Sequence, residues 1–468
     1  MITNSILYFI VRFGNGIFAF ISIAMFTRML SPEKYGIYAL GVAVATIFSG
    51  VLFQWLNLAI SRFYMINIDD PSKVMGVVSL GFVGATTVAV SIFIGLFPFL
   101  WVLGVEKITG FIVLLITIAL GIYTLALQVA NAESRPILYG QISWAKGGVT
   151  VLTGCIFIHY GAGERGALLG FLTGLVLAVV VFAPKLFFRF QIGIIDKQLT
   201  EKMFRYGLPL AFNNLAIASV DIADRLMISI LLGVAQVAPY AVTYDIVQQC
   251  VGPIMNVLFL AAFPLIVQAF DSGQNKHISN RLHALGSNLL GLGMPVAAAV
   301  GFFAGDISEI ILGNDYRQDS TTIMPWLAAA IFIGAFKSFY LDVVFQLRTA
   351  TKYQGYIAIF MLVVNIFLNL ILLPIYGAVA AAWATLAAFT VGAISSWVLG
   401  RSSLILPSLM KDFWGSASAT SIMLVVLYLL PSIPTTLWLS IKVLVAIIIY
   451  SLLAWVLDIA GFRRIFKV

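Results

Sequence analysis

Asp221, Asp224 and Arg225 lie inside AIASVDIADRLMISILLG, residues 216–233, a stretch otherwise apolar enough for hydrocarbon. Insertion of a mid-helix Asp, Arg or Lys into a bilayer costs about 2.5–3.5 kcal/mol. Groups that bear such a cost face a partner or a wet cavity. In a helix Asp221 and Arg225 are four residues apart and share a face, so they can pair. Asp224 falls on a neighbouring part of that face. Two readings stand: a permanent structural salt bridge, or a carboxylate that exchanges partners or takes up a coupling proton during transport.

Other ionisable groups also fall within apolar runs. Arg12 and Asn15 lie near the start of the first run, Arg62 ends the second, and Lys146 and Lys337 sit near the middle of theirs. An arginine near an interface can snorkel; a mid-span lysine has less room to. Lys146 and Lys337 therefore either face a cavity or pair with a buried acid such as Asp342 or Asp245. Asp245, Gln248 and Gln249 form one polar face at i, i+3 and i+4. Asn365 and Asn369 read as hydrogen-bonded packing between helices. A wet cavity lined by Arg12, Asn15, Arg62, Lys146, Arg225 and Lys337 would attract an anion, with arginine best fitted to grip phosphate oxygens. Asp221, Asp224, Asp245 and Asp342 are the candidates for coupling or gating.

These residues need membrane helices to position them. The 468 residues are 61% hydrophobic and 10% charged, with a mean hydropathy of +1.04, against about 25% charged in soluble domains. The fold class is an all-α polytopic membrane protein. About fourteen runs are long enough to span: 5–27, 36–60, 75–98, 109–131, 138–159, 166–184, 206–232, 238–268, 285–304, 321–346, 354–373, 378–399, 412–430 and 437–458. Connections are short. The longest, around 185–205, is basic and amphipathic and suits the cytoplasmic surface.

Net charge is +8, which in such a chain reports topology. Connections after even-numbered spans, with the C-terminal tail, hold seventeen Lys and Arg; the odd ones hold five. The excess places both termini in the cytoplasm. No basic face with stacking aromatics or binding module indicates nucleic acid. Cys155 and Cys250 lie in separate apolar runs and read as packing residues, and the three histidines make no metal spacing. No cofactor is expected.

The chain echoes itself. RMLSPEKYGIYALGV (28–42) compares with ILLGVAQVAPYAVTY (230–244) at an offset of 202, matching Leu30 to Leu232, Tyr38 to Tyr240 and Ala39 to Ala241. Tyr160-Gly161-Ala162 matches Tyr376-Gly377-Ala378 at an offset of 216. The shared order suggests two parallel six-helix lobes. The expected organisation is an N-terminal lobe at 1–188, an amphipathic linker at 189–205, a C-terminal lobe at 206–400, and two further helices with a basic tail at 401–468.

FTRMLSPEKYGIYAL, RYGLPLAFNNLAIASVDIADRLMISILLG and VNIFLNLILLPIYGAVAAAWATLAAF, in that order, resemble the polysaccharide-transporter branch of the multidrug/oligosaccharidyl-lipid/polysaccharide exporter superfamily, which includes the Wzx-type O-antigen flippases. The resemblance covers nearly the whole chain. It implies two six-helix bundles around a central cavity. It also implies an undecaprenyl-diphosphate-linked oligosaccharide as cargo, carried from the inner to the outer leaflet of the cytoplasmic membrane by alternating access. A polysaccharide polymerase and chain-length machinery are implied partners beside membrane lipids. Two alternatives stay open: a multidrug cation antiporter of the same superfamily, which would want an acidic, aromatic pocket, and a polytopic polymerase or ligase. Short outer connections with few basic residues, and no nucleophile–base pairing or metal site, argue against an enzyme.

Overall fold

The computed structural model describes residues 2–66, 71–96, 98, 106–184, 196–273, 275–348, 350–401, 406–431 and 435–461. Within these, the side chains of 2–13, 15, 65–66, 71, 96, 209–210, 212–218, 221, 275 and 460 are outside the description. Arg12, Asn15 and Asp221 are therefore placed on helices, and their side chains lie outside the described residues.

The described residues are nearly all helical, without strands. In hydrocarbon a helix satisfies its backbone groups internally, which is why apolar runs of this length become helices. The N-terminal part comprises α1 (Ile2–Met29), α2 (Pro32–Ile66), α3 (Pro71–Leu96), α4 (Lys107–Ala132), α5 (Pro136–Phe157) and α6 (Gly163–Phe182). Three of these begin on proline, whose missing N–H costs nothing at the first helical position. α7 (Lys197–Leu232), α8 (Val234–Asp271), α9 (Asn275–Phe302), α10 (Ala304–Ile311) and α11 (Asn314–Phe336) follow. A π-helical turn (Lys337–Leu341) leads into α12 (Val343–Leu347). α13 (Lys352–Tyr376), α14 (Val379–Gly400), α15 (Met410–Leu429) and α16 (Thr436–Val456) complete the chain. Eleven helical stretches among the described residues are long and apolar enough to cross a membrane. One of them, Pro136–Phe182, contains both α5 and α6, which are joined at Gly161, where φ is +90°. The protein is a multi-span membrane protein.

Two differences from the sequence reading have simple causes. α7 starts at Lys197, nine residues before the apolar run. Asp196 accepts the Leu199 N–H at 3.0 Å, and Glu201 pairs with Arg205 at 2.7 Å. Hydropathy follows the apolar run and passes over a polar helical extension. The connection near 305–320 carries a short helix of its own, α10, with Asp306 in its first turn.

The chain divides into two compact units, Met1–Ile222 and Ala223–Val468, with the boundary inside α7. In the first, Phe53, Leu56, Ile60, Met75, Ile116 and Leu168 are fully buried or nearly so and hold α2, α3, α4 and α6 together. α5 and α6 pack backbone to backbone. Gly166, Gly170 and Gly174 recur every four residues on α6, the small-residue pattern of close membrane helices. A Cβ on Gly170 would lie 2.6 Å from the Gly154 nitrogen, and one on Gly174 would lie 2.7 Å from the Lys146 carbonyl oxygen. Backbone atoms cannot yield as side chains do. Gly170→Ala is expected to destabilise the protein by about 1–3 kcal/mol, read as a lower thermal midpoint in detergent, whereas Gly84→Ala, with nothing within 4 Å, leaves the midpoint unchanged.

In the second unit, α15 and α16 are fixed to the earlier helices by polar ties as well as apolar packing. Asp412 at the start of α15 accepts from Ser287 and lies 3.2 Å from His283 Nε2 of α9. Lys442 of α16 reaches Asp306 of α10 at 3.0 Å. Between these ties, Phe303, Met423, Leu427 and Tyr450 are buried together.

The internal echoes occupy matching places. Leu30 and Leu232 lie at the junctions α1/α2 and α7/α8, and Gly161 and Gly377 turn the hairpins α5/α6 and α13/α14. Both of these glycines have positive φ, +90° and +70°, a region unfavourable to other residues.

Candidate functional site

One mid-span charge of the first unit is Lys146. It lies at the eleventh position of the 22-residue α5, and its Nζ sits 4.3 Å from the centroid of the Phe171 ring on α6. The side chain is partly exposed, and among the described residues it has no acidic partner. The cation–π contact leaves its three N–H donors available for an anion. Arg62, near the end of α2, is exposed and lies 4.7 Å from the centroid of the Tyr206 ring on α7.

The second unit holds three arrangements that share helices. At the first, Arg225 is buried and its Nη2 donates to Asp245 Oδ1 of α8 at 2.7 Å. The side chain of Asp245 is 43% exposed, and the Arg225 guanidinium also lies 5.7 Å from the Tyr244 ring centroid. The sequence pairs Arg225 with Asp221 on its own helix. The structure adds a partner one helix away, which spacing along a single helix does not reveal.

One residue earlier, Asp224 is fully buried and faces elsewhere. Asn365 and Asn369 of α13 donate to Oδ1 at 2.8 and 2.7 Å. Tyr240 of α8 and Thr385 of α14 donate to Oδ2. Asn369 also donates to Asn365 Oδ1 at 3.2 Å, and its own Oδ1 is buried without a hydrogen-bond partner. One carboxylate thus gathers four neutral donors from three other helices. No cation pairs with it among the described residues, and a full negative charge in the interior without one is costly. The cluster is suited to a proton, or to a small hard cation held by carboxylate, amide and hydroxyl oxygens. Among the described residues no cluster of three His, Cys, Asp or Glu could hold a metal.

The sequence reading treats Asn365 and Asn369 as packing and misses Tyr240 and Thr385 as functional candidates. The i, i+4 spacing of the asparagines was the available signal, because it puts two amides on one helix face. Tyr38, the repeat counterpart of Tyr240, packs edge-on against Phe26 at 5.6 Å between centroids. The residue at the 202 offset from Asp224 is Ser22. The carboxylate cluster is a feature of the second repeat.

The third arrangement answers the question raised by Lys337. Its Nζ donates to Asp342 Oδ2 at 2.8 Å, both side chains being about 3% exposed. Ser396 of α14 donates to Asp342 Oδ1 at 2.7 Å, and Gln354 of α13 donates to the Asp342 carbonyl at 3.1 Å. The two residues are five apart, and the Asp342 N–H donates to the Lys337 carbonyl at 2.9 Å, the bond that defines a π-turn. Of the two readings for Lys337, a cavity-facing cation or a pair with a buried acid such as Asp342, the structure has the pair. Helical spacing of three or four does not signal the pair, because the extra residue of the π-turn brings it together.

Comparison with known proteins now adds the family. The profile described as polysaccharide biosynthesis protein matches residues 1–270, more than half of the chain. The chain belongs to the polysaccharide biosynthesis protein family. A second profile, MatE, matches residues 209–371 of this family member. Its fold is similar to that of the lipid II flippase MurJ in an inward closed conformation, with a TM-score of 0.76 at 15% identity over 97% of this chain and 99% of that one. It is also similar to a multidrug resistance MATE family transporter of the MOP superfamily in its inward-facing conformation. There the TM-score is 0.68 at 13% identity over 85% of this chain and 97% of that one. No curated protein sequence matches significantly. These similar structures are transporters and flippases, and at such identities they establish the fold alone.

Proposed function

We propose that this polysaccharide biosynthesis protein is a flippase of the cytoplasmic membrane, carrying a lipid-diphosphate-linked oligosaccharide from the inner to the outer leaflet by alternating access, with both termini in the cytoplasm. An O-antigen or other surface-polysaccharide repeat unit is the cargo, and a polysaccharide polymerase with its chain-length machinery receives it. The observation that carries the reading is Lys146, a mid-span cation with no acidic partner among the described residues. Membrane membership of a polysaccharide biosynthesis family supplies the cargo class. Arg62 adds positive charge in the same unit, Arg12 and Asn15 extend the same expected lining, and Arg225 is paired with Asp245. Lys337 is left out of it, because Asp342 neutralises it.

Direction follows from charge. An inside-negative potential drives an anion outward by about 2.3 kcal/mol per charge per 100 mV, so a diphosphate near −2 gains up to about 5 kcal/mol per 100 mV. Asp224 is the coupling group in this reading. A proton or sodium ion taken up there on one side and released on the other assists the potential. Asp221 and Asp245 belong to gating through Arg225.

The test is transport in proteoliposomes of fluorescent undecaprenyl diphosphate bearing one N-acetylglucosamine. Lys146→Ala is expected to slow it at least tenfold and Lys146→Arg to keep most of it. Equal rates for wild type and Lys146→Ala would remove the anion-binding role. Outward movement equally fast at zero potential and zero ion gradient would remove the electrogenic one. The MatE match at 209–371 supports a second reading, a cation antiporter. In that case an organic cation such as ethidium exchanges against protons or sodium in the same vesicles while the lipid-linked probe stays in its leaflet.

A further inference from the structure

One helix face in the second unit carries, beside Asp245, polar groups that none of the three arrangements uses. On α8 the side toward Tyr240, Val247, Val251 and Met255 is fully buried. The opposite side presents Asp245, Gln248, Gln249, Gly252 and Asn256, all exposed or partly exposed. These positions follow i, i+3, i+4, i+7 and i+11, a single stripe along a helix of 3.6 residues per turn. One and two turns beyond Asn256, Phe259 and Phe263 continue it, their ring centroids 4.8 Å apart. From Asp245 to Phe263 the stripe runs about 27 Å at 1.5 Å per residue, close to the roughly 30 Å of hydrocarbon.

The chemistry of the stripe narrows what it touches. Gln248 and Gln249 have no hydrogen-bond partner among the described residues. The Gln248 amide lies along the helix over Gly252, where a Cβ would come within 2.7 Å of its Nε2. Glycine here gives that amide room. Unpartnered amides are costly in hydrocarbon, so the stripe borders water or a polar ligand. Asp245 is already paired with Arg225 at 2.7 Å, so the surface carries little net charge. Neither a free anion nor a cation is the matched ligand. Amides that both donate and accept, continued by aromatic faces, match the hydroxyl groups and C–H faces of neutral sugars.

We infer that this face of α8 is the glycan-contacting track of the transporter, with Gln248 and Gln249 hydrogen-bonding sugar hydroxyls and Phe259 and Phe263 stacking on sugar rings. The inference rests on the flippase reading and assigns the sugar part of the cargo to the amides and rings of this stripe.

The experiment compares two probes in proteoliposomes of the full chain: fluorescent undecaprenyl diphosphate bearing one N-acetylglucosamine, and the same lipid without sugar. Wild type is expected to move the sugar-bearing probe at least tenfold faster. The double variant Gln248→Leu/Gln249→Leu brings the ratio of the two rates close to one. Should the leucine pair fail to fold, Gln248→Asn/Gln249→Asn keeps the polarity, shortens the reach by one methylene, and is expected to lower the ratio at least threefold. A ratio unchanged in the folded variants overturns the glycan track and leaves the flippase reading standing. An unchanged ratio with an altered oligomeric state makes the stripe a contact between copies of the chain. Failure of wild type to move either probe overturns the flippase reading and the track with it.

Discussion

Asp224→Asn is expected to abolish transport, by about a hundredfold or more, while the protein still folds. The side chain keeps its shape and one acceptor oxygen, so much of the hydrogen-bonded cluster survives. It loses the negative charge, and with it the means to take up a proton or cation. Asp224→Ala is expected to fail at an earlier stage. It leaves the Tyr240 and Thr385 hydroxyls and the Asn365 and Asn369 amides buried without their acceptor. At about 1–3 kcal/mol per orphaned group, the loss is comparable with much of the 5–15 kcal/mol that holds a typical domain folded. Thermal midpoints in detergent separate the two cases. The asparagine variant melts within a few degrees of wild type, and the alanine variant melts far lower or does not accumulate. If the asparagine variant transports at the wild-type rate and still responds to an imposed ion gradient, Asp224 is a structural hub with no part in coupling.

The second large effect concerns Lys337 and Asp342. Lys337→Met leaves a buried carboxylate without its cation, which costs about 3–5 kcal/mol in comparable buried pairs. Asp342→Asn leaves a buried ammonium and is expected to cost a similar amount. The double variant Lys337→Met/Asp342→Asn removes both charges and is expected to regain most of the lost stability, because the desolvation of two ions disappears together with their attraction. Melting of the four proteins in one detergent gives the coupling directly. Simple additivity of the two single losses would show that the pair makes no net interaction. Gln354 and Ser396 still reach the residue at 342 in the double variant, so α13 and α14 remain attached near the π-turn.

The contrast between these two clusters shows what could be read in advance. Both aspartates stand out in sequence as charges within apolar runs. Lys337 stands out too, and Asp342 is one acid it could meet, but the partners of Asp224 do not. Lys337 meets Asp342 through a π-turn that adds a residue to the helical register, and regular periodicity places them on different faces. Asp224 meets residues 16, 141, 145 and 161 positions away, a convergence of α8, α13 and α14 on α7. Arg225 is adjacent to Asp224 in sequence yet joins Asp245, because successive residues on a helix point about 100° apart. Lys146 is the simpler case. Its mid-span position was visible, and among the described residues no acid is brought against it.

Composition and hydropathy by themselves determined that this is an all-helical membrane protein, because a bilayer leaves few other ways to satisfy the polar backbone of an apolar segment. The order of three motifs carried the resemblance to a polysaccharide-transporter family, and the repeat set glycine at two matching turns where φ is positive, residues 161 and 377. Tertiary structure alone decided which buried charges are paired, which carboxylate gathers neutral donors, and which amides on α8 have no partner among the described residues. Those outcomes depend on distances between helices far apart in the chain, and an interaction between charges inside a membrane protein is set by a few ångströms of separation and by burial.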